Sequence, residues 1–100
     1  MCAGLQVHVE EGSYSHTSFR PWRLHALAFK ALRMLQPNYP LWRDFTYEYE
    51  PGRLAIDVIN GSDLLRGWVD NPRSTVRDLD ELALADERSW RRERRRYLLY

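Results

Sequence analysis

Phe45-Thr46-Tyr47-Glu48-Tyr49-Glu50-Pro51-Gly52-Arg53-Leu54-Ala55-Ile56-Asp57-Val58-Ile59 is the stretch on which the fold class turns. Residues 45–50 alternate aromatic and polar side chains, the two-residue period of a half-buried strand. Pro51-Gly52 is a turn signal. Residues 54–59 form a second apolar run of strand length, broken only by Asp57. The two runs read as a hairpin across residues 51–53, with a strand-plus-loop arrangement as the other possibility. On this reading the chain is α+β: a small mixed domain with an N-terminal strand, an amphipathic helix, two further short strands and two C-terminal helices.

Toward the N-terminus, Leu5-Gln6-Val7-His8-Val9 alternates in the same way. A strand there needs a neighbour for its backbone groups. A Gly- and Ser-containing loop spans residues 10–18. Arg20-Pro21-Trp22 then opens the clearest helix, because proline suits the first helical position. Leu24, Leu27, Ala28, Ala31, Leu32 and Leu35 recur at helical spacing and define an apolar stripe expected to face inward, with Arg23, Lys30 and Arg33 off it. Pro37 closes the helix. Toward the C-terminus, Ser62 is the expected N-cap of a short helix over 63–70, with Leu64, Leu65, Trp68 and Val69 inward. Thr75 and Asp78 have the spacing of a near-capping-box for a last long helix. Val76, Leu79, Leu82, Ala83, Trp90 and Tyr97 form its stripe.

The chain of 100 residues is read as one domain over 1–100. Its 44% hydrophobic and 29% charged residues exclude a disordered chain. A formal net charge of +1 gives no global field toward nucleic acid or membrane. The arginine-rich run near the C-terminus sits where a helix dipole favours cations, opposite an acidic start, so it reads as a solvated face and not as a phosphate-binding patch. One cysteine, Cys2, supports no disulfide framework. No apolar run is long enough to span a bilayer and no signal peptide is visible. His8, His16 and His25 lack ligand spacing, so no metal or cofactor site is expected.

The acids carry most of the chemical interest. Glycosidases use two carboxylates across the scissile bond, and Glu48, Glu50 and Asp57 lie on or near the expected strands. Asp57 interrupts an apolar run, and a buried Asp needs hydrogen-bond partners. The N–H groups around residues 60–62 are candidates, as is an arginine such as Arg43 or Arg53.

The order of several segments resembles one family. They are Cys2-Ala3-Gly4-Leu5-Gln6-Val7-His8-Val9, Phe19-Arg20-Pro21-Trp22-Arg23, Tyr47-Glu48-Tyr49-Glu50, Ala55-Ile56-Asp57-Val58-Ile59-Asn60-Gly61-Ser62, Leu64-Leu65-Arg66, and a close on Trp90-Arg91-Arg92-Glu93-Arg94-Arg95-Arg96-Tyr97-Leu98-Leu99-Tyr100. In that order they resemble the C-terminal portion of exo-β-N-acetylmuramidases of the NamZ type. Ala3 stands where the family tends to have glycine, and Arg53-Leu54 where a proline is common. The resemblance implies a larger parent: an upstream Rossmann-like catalytic domain, in the same or a separate chain, that holds the catalytic glutamate and releases N-acetylmuramic acid from non-reducing ends of peptidoglycan fragments. Parents of this kind are often exported. It implies no catalytic residue, metal or cofactor here. Arg20, Tyr47, Glu48 and Asp57 are the candidate substrate-binding residues: Arg20 to pair a carboxylate, Tyr47 to stack on a sugar ring, Glu48 and Asp57 to accept sugar hydroxyls. A stand-alone interaction module or an inactive truncated product is the alternative.

Overall fold

The computed structural model describes residues 4, 6–10, 12, 14–47 and 49–99. Four helices carry the fold: α1 (Pro21–Leu35), α2 (Ala55–Asn60), α3 (Leu64–Asp70) and α4 (Val76–Arg94), the last running into a short 3-10 turn at Arg95–Tyr97. Among the described residues there is no sheet, so the α+β expectation is corrected to an all-helical fold. Of the N-terminal strand, Leu5 lies outside the described residues, and residues 6–10 take no regular structure. Residues 45–50 reduce to one isolated bridge between Tyr47 and Glu50. Tyr49 has φ 63°, a left-handed conformation that turns the chain and ends extension there.

The run expected as a third strand is α2. Six residues hold too few turns for periodicity to separate a buried helix from a strand. Helix wins because its ends are satisfied: the N–H groups of Asp57 and Val58 donate to Leu54 O, and Gly61 adopts the left-handed conformation (φ 83°) that ends helices. Its buried face meets α3 through Ala55, Ile56 and Asp57.

Helix α1 starts and stops where the sequence predicts, but it packs on a different face. Ala26 is fully buried and Lys30 is 8% exposed, while Arg23 and Arg33 are half-buried beside them. Leu24, Leu32 and Leu35 face outward. The polar face goes inward because α3 and α4 meet it with matching groups. Lys30 Nζ donates to the carbonyls of Trp68 (3.1 Å), Val69 (3.2 Å) and Asn71 (2.6 Å), which are orphan acceptors at the C-terminal end of α3. Arg33 pairs with Asp70, and Arg23 with Asp80 on α4. Burial pushes the Lys30 ammonium below its ordinary value, and the Asp70 charge partly offsets this. Lys30 also lies 5.2 Å from the Trp68 ring centroid, within cation–π reach.

Between these polar contacts lies the core: Ala26, Leu65, Trp68, Val69 and Leu79, with Leu27, Phe29, Leu41, Trp42, Ile56 and Leu82 packed against it. Trp68 sends its indole N–H to Thr75 O (2.8 Å), which ties α3 to the start of α4. Arg33 also donates to the carbonyls of Pro37 and Tyr39, and Trp42 donates to Asp70, so the connector after α1 folds back over α3. At the start of α4 the expected capping box is complete: Asp78 N–H donates to Thr75 Oγ1, and Thr75 N–H donates to Asp78 Oδ2. The cap of α3 differs from expectation. Asp63, not Ser62, holds that position, without a side-chain bond. Beyond Ala83 every described residue of α4 and its tail is exposed. The Cα radius of gyration, 16.1 Å, exceeds the roughly 13 Å of a compact chain this long.

Candidate functional site

Open clefts border the helical body, and three of them involve the residues of interest. The largest, about 800 Å³, lies between the start of α1, the α2–α3 turn and the middle of α4. Trp22 forms one wall. Its indole N–H donates to Asn60 Oδ1 (2.9 Å), and Asn60 Nδ2 reaches the carbonyl and hydroxyl of Ser62 (both 3.3 Å). This chain of bonds fixes the ring and uses the amide from both sides. Ile59, Leu64 and Leu82 add apolar wall, and Asp86 and Glu87 add acids. Of these residues the sequence pattern marks Ser62 only as an expected N-cap and Trp22 only as part of the start of α1.

The second cleft, about 560 Å³, lies on the other side of Trp22 and contains Arg20, Arg23, Asp80 and Glu87. Arg20 is the residue that flanks the first turn of α1, and its guanidinium has no hydrogen-bond partner among the described residues. Next to it, Arg23 binds Asp80 in a two-pronged pair, with Nε at 2.6 Å and Nη2 at 3.2 Å. The Arg23 hydrogen bond holds the Asp80 carboxyl below the usual carboxylate range. Asp78, on the same helix, is also held low, by the Thr75 N–H first and its hydroxyl second.

The third cleft, about 390 Å³, is lined by Arg53, Asp57, Ser62, Asp63 and Arg66. Asp57 is 7% exposed. Arg66 Nε lies 2.9 and 3.0 Å from its two carboxylate oxygens, and Arg66 Nη2 lies 2.9 Å from Oδ2. Arg53 donates to the Asp57 carbonyl. The partner of Asp57 is therefore Arg66 on the next helix, not the N–H groups around residues 60–62. A buried carboxylate gripped by a guanidinium fork is well suited to hold α2 against α3, and its lone pairs are largely committed.

The candidate residues are not drawn into one place. Arg20 and Asp57 line different clefts, and Tyr47 lines none of them. Tyr47 is half-buried and meets Phe45 edge to face, with centroids 6.2 Å apart. Glu48 lies outside the described residues. His25 Nδ1 donates to Pro21 O within its own helix, and His16 packs edgewise on Tyr14. Among the described residues, no group of three His, Cys, Asp or Glu side chains could hold a metal ion. No described helix is long and apolar enough to cross a membrane.

Comparison with curated proteins and with solved structures gave no match. A family model described as exo-beta-N-acetylmuramidase NamZ, C-terminal, matches residues 1–100.

Proposed function

The chain belongs to the exo-β-N-acetylmuramidase NamZ C-terminal family across its whole length, and from that premise we propose that it serves a peptidoglycan-recycling glycosidase as a single accessory domain. In this reading it forms part of the wall of the substrate cleft. The reaction, release of N-acetylmuramic acid from non-reducing ends, takes place on an upstream Rossmann-like catalytic domain. The observation that carries the reading is the family match over residues 1–100.

The chemistry of the acids supports the division of labour. A glycosidase needs one carboxyl free to give a proton and another free to attack or to activate water. Asp57 is the buried acid among the described residues, and Arg66 occupies both of its oxygens. Its role in this reading is to hold the α2–α3 corner, so that any sugar hydroxyl it receives is met at the cleft edge. Arg20 is the better-placed substrate contact: exposed, in a cleft, and with an uncommitted guanidinium fork that matches a lactyl carboxylate. Tyr47 and Glu48 stay in the proposal as sugar-facing groups of the 45–50 segment.

The test is complementation. The catalytic domain of a NamZ-type muramidase, alone and then with this domain joined after it, is assayed on a chromogenic N-acetylmuramide. We expect the joined protein to turn over faster, and Arg20→Ala to raise its KM roughly tenfold, the loss of one charge-assisted contact. Equal activity with and without the domain would reject the cleft-wall role.

A further inference from the structure

Trp22 stands between two clefts and is held by one edge. Its indole N–H, in the plane of the ring, donates to Asn60 Oδ1 (2.9 Å), and Asn60 in turn donates to Ser62. That bond engages neither ring face, and Trp22 stays 40% exposed. An aromatic ring locked in place with an open face is a platform that loses little freedom when a ligand settles on it. The cleft of about 800 Å³ beside it falls within the roughly 300–1,000 Å³ of ordinary small-ligand sites.

The remaining walls decide what the platform takes. Asp86 and Glu87 on α4 only accept hydrogen bonds when ionised, and Ser62 and Ser89 offer hydroxyls. Among the described residues, no Arg, Lys or His lines this cleft. An anion therefore meets two carboxylates and no cation to offset them. A wholly apolar ligand would strip water from the carboxylates and hydroxyls and give no hydrogen bond back. A compact cation would need the two acids to converge on one point. They are consecutive residues of one helix, so they splay apart. Glu87 also lies 3.5 Å from Arg91 Nη2 and lines the Arg20 cleft as well. Separated acceptors beside a flat apolar platform suit a ligand with a C–H face and several hydroxyl donors around its rim, which is an uncharged pyranose.

We propose that the Trp22 cleft is a binding site for an uncharged pyranose of an oligosaccharide. The C–H face of the sugar lies on the indole, and its hydroxyls donate to Asp86 and Glu87 and accept from Ser62 or Ser89. Every group in the site comes from this chain, so the site does not rest on a catalytic partner. It gives the lone domain a glycan-holding function beyond the cleft-wall role. Arg20 lies in the neighbouring cleft, so the two sides of Trp22 sort uncharged rings from carboxylate-bearing ones.

Nuclear magnetic resonance titration of the 100-residue chain tests the site. The probes are triacetylchitotriose and cellotriose, both neutral, N-acetylmuramic acid, which carries a carboxylate, and tetramethylammonium, a cation. A neutral trisaccharide should shift the Trp22 indole N–H and the backbone N–H groups of Gly61, Asp86 and Ser89, which line this cleft and not the Arg20 cleft. The shifts should saturate in the millimolar range. N-acetylmuramic acid should act on those three backbone groups at least about tenfold more weakly. Asp86→Ala, an exposed change on α4, should weaken the neutral probes roughly tenfold. Trp22→Leu should abolish the shifts at Gly61 and Ser89, and Trp90→Leu should leave them unchanged. No shift at these positions with either trisaccharide overturns the inference. So does neutral-sugar binding that is unchanged in Asp86→Ala. A response to tetramethylammonium and not to the sugars would assign the cleft to cations and overturn it too.

Discussion

On its inner side α1 presents Arg23, Ala26, Lys30 and Arg33; on its outer side it presents Leu24, Ala28, Ala31, Leu32 and Leu35. Hydropathy alone would reverse the two. The inner face is buried because each of its charges meets a group that needs it: Lys30 the carbonyl end of α3, Arg33 the Asp70 carboxylate, Arg23 the Asp80 carboxylate. On the outer face Leu24, Leu32 and Leu35 stay exposed. The difference teaches that in a small helical body the direction of packing follows the chemistry of the partner.

The contrast can be broken most severely at Lys30. Lys30→Met keeps much of the side-chain length but leaves the carbonyls of Trp68, Val69 and Asn71 without their ammonium donor. We expect a loss of about 2–3 kcal/mol in urea unfolding. A change below about 0.5 kcal/mol, the usual limit for surface substitutions, would mean that the inner face is held by the core alone. The α4 cap is next. Thr75→Ala removes the acceptor for the Asp78 N–H and should cost about 1 kcal/mol, seen as an earlier melt of α4 by circular dichroism.

The acids that meet the inner and N-terminal surfaces give a pH test. Asp78 and Asp80 both have folded pKa values below the ordinary carboxylate range, Asp78 through Thr75 and Asp80 through Arg23. Between the folded value and the unfolded value of about 3.9, the unfolded chain binds more protons, so stability rises with pH there. Their contribution is fully present above about pH 4 and is lost as pH falls through the folded values. Asp80→Asn should flatten the acid limb of a stability–pH curve and leave its neutral end nearly level. An unchanged acid limb would show that the Arg23 pair is not maintained in solution. The smallest effect belongs to the outer face: Leu32→Ser in the isolated chain should change stability by less than about 0.5 kcal/mol, because no described neighbour closes over it. A larger loss would place Leu32 in a core.

Much of this was legible. The limits of α1 follow from Pro21 and Pro37, the inward face of α3 from Leu65, Trp68 and Val69, with Leu64 exposed against expectation, and the start of α4 from Thr75 and Asp78. The strands were not there to be found among the described residues. Val58 and Ile59 favour extended structure, but Arg66 on the next helix pairs with Asp57 and holds residues 55–60 against α3, a contact that periodicity within residues 54–59 does not report. Gly61 after Asn60 was the available clue, since glycine in that place ends helices. The inward face of α1 was misread because periodicity reports which residues are apolar, not which neighbours will be present. Of the site, Arg20 and Asp57 line different clefts, and the fixing of Trp22 by Asn60 depends on residues 38 positions apart and could not be read locally.

The proposed function is that this domain supplies cleft walls while the bond-breaking carboxylates lie elsewhere. The direct measurement is product release from a chromogenic N-acetylmuramide by the purified 100-residue chain. The account predicts release indistinguishable from the buffer blank across the neutral and mildly acidic range. Sustained turnover by the isolated chain, abolished by Asp57→Asn in a variant that still folds, would contradict it.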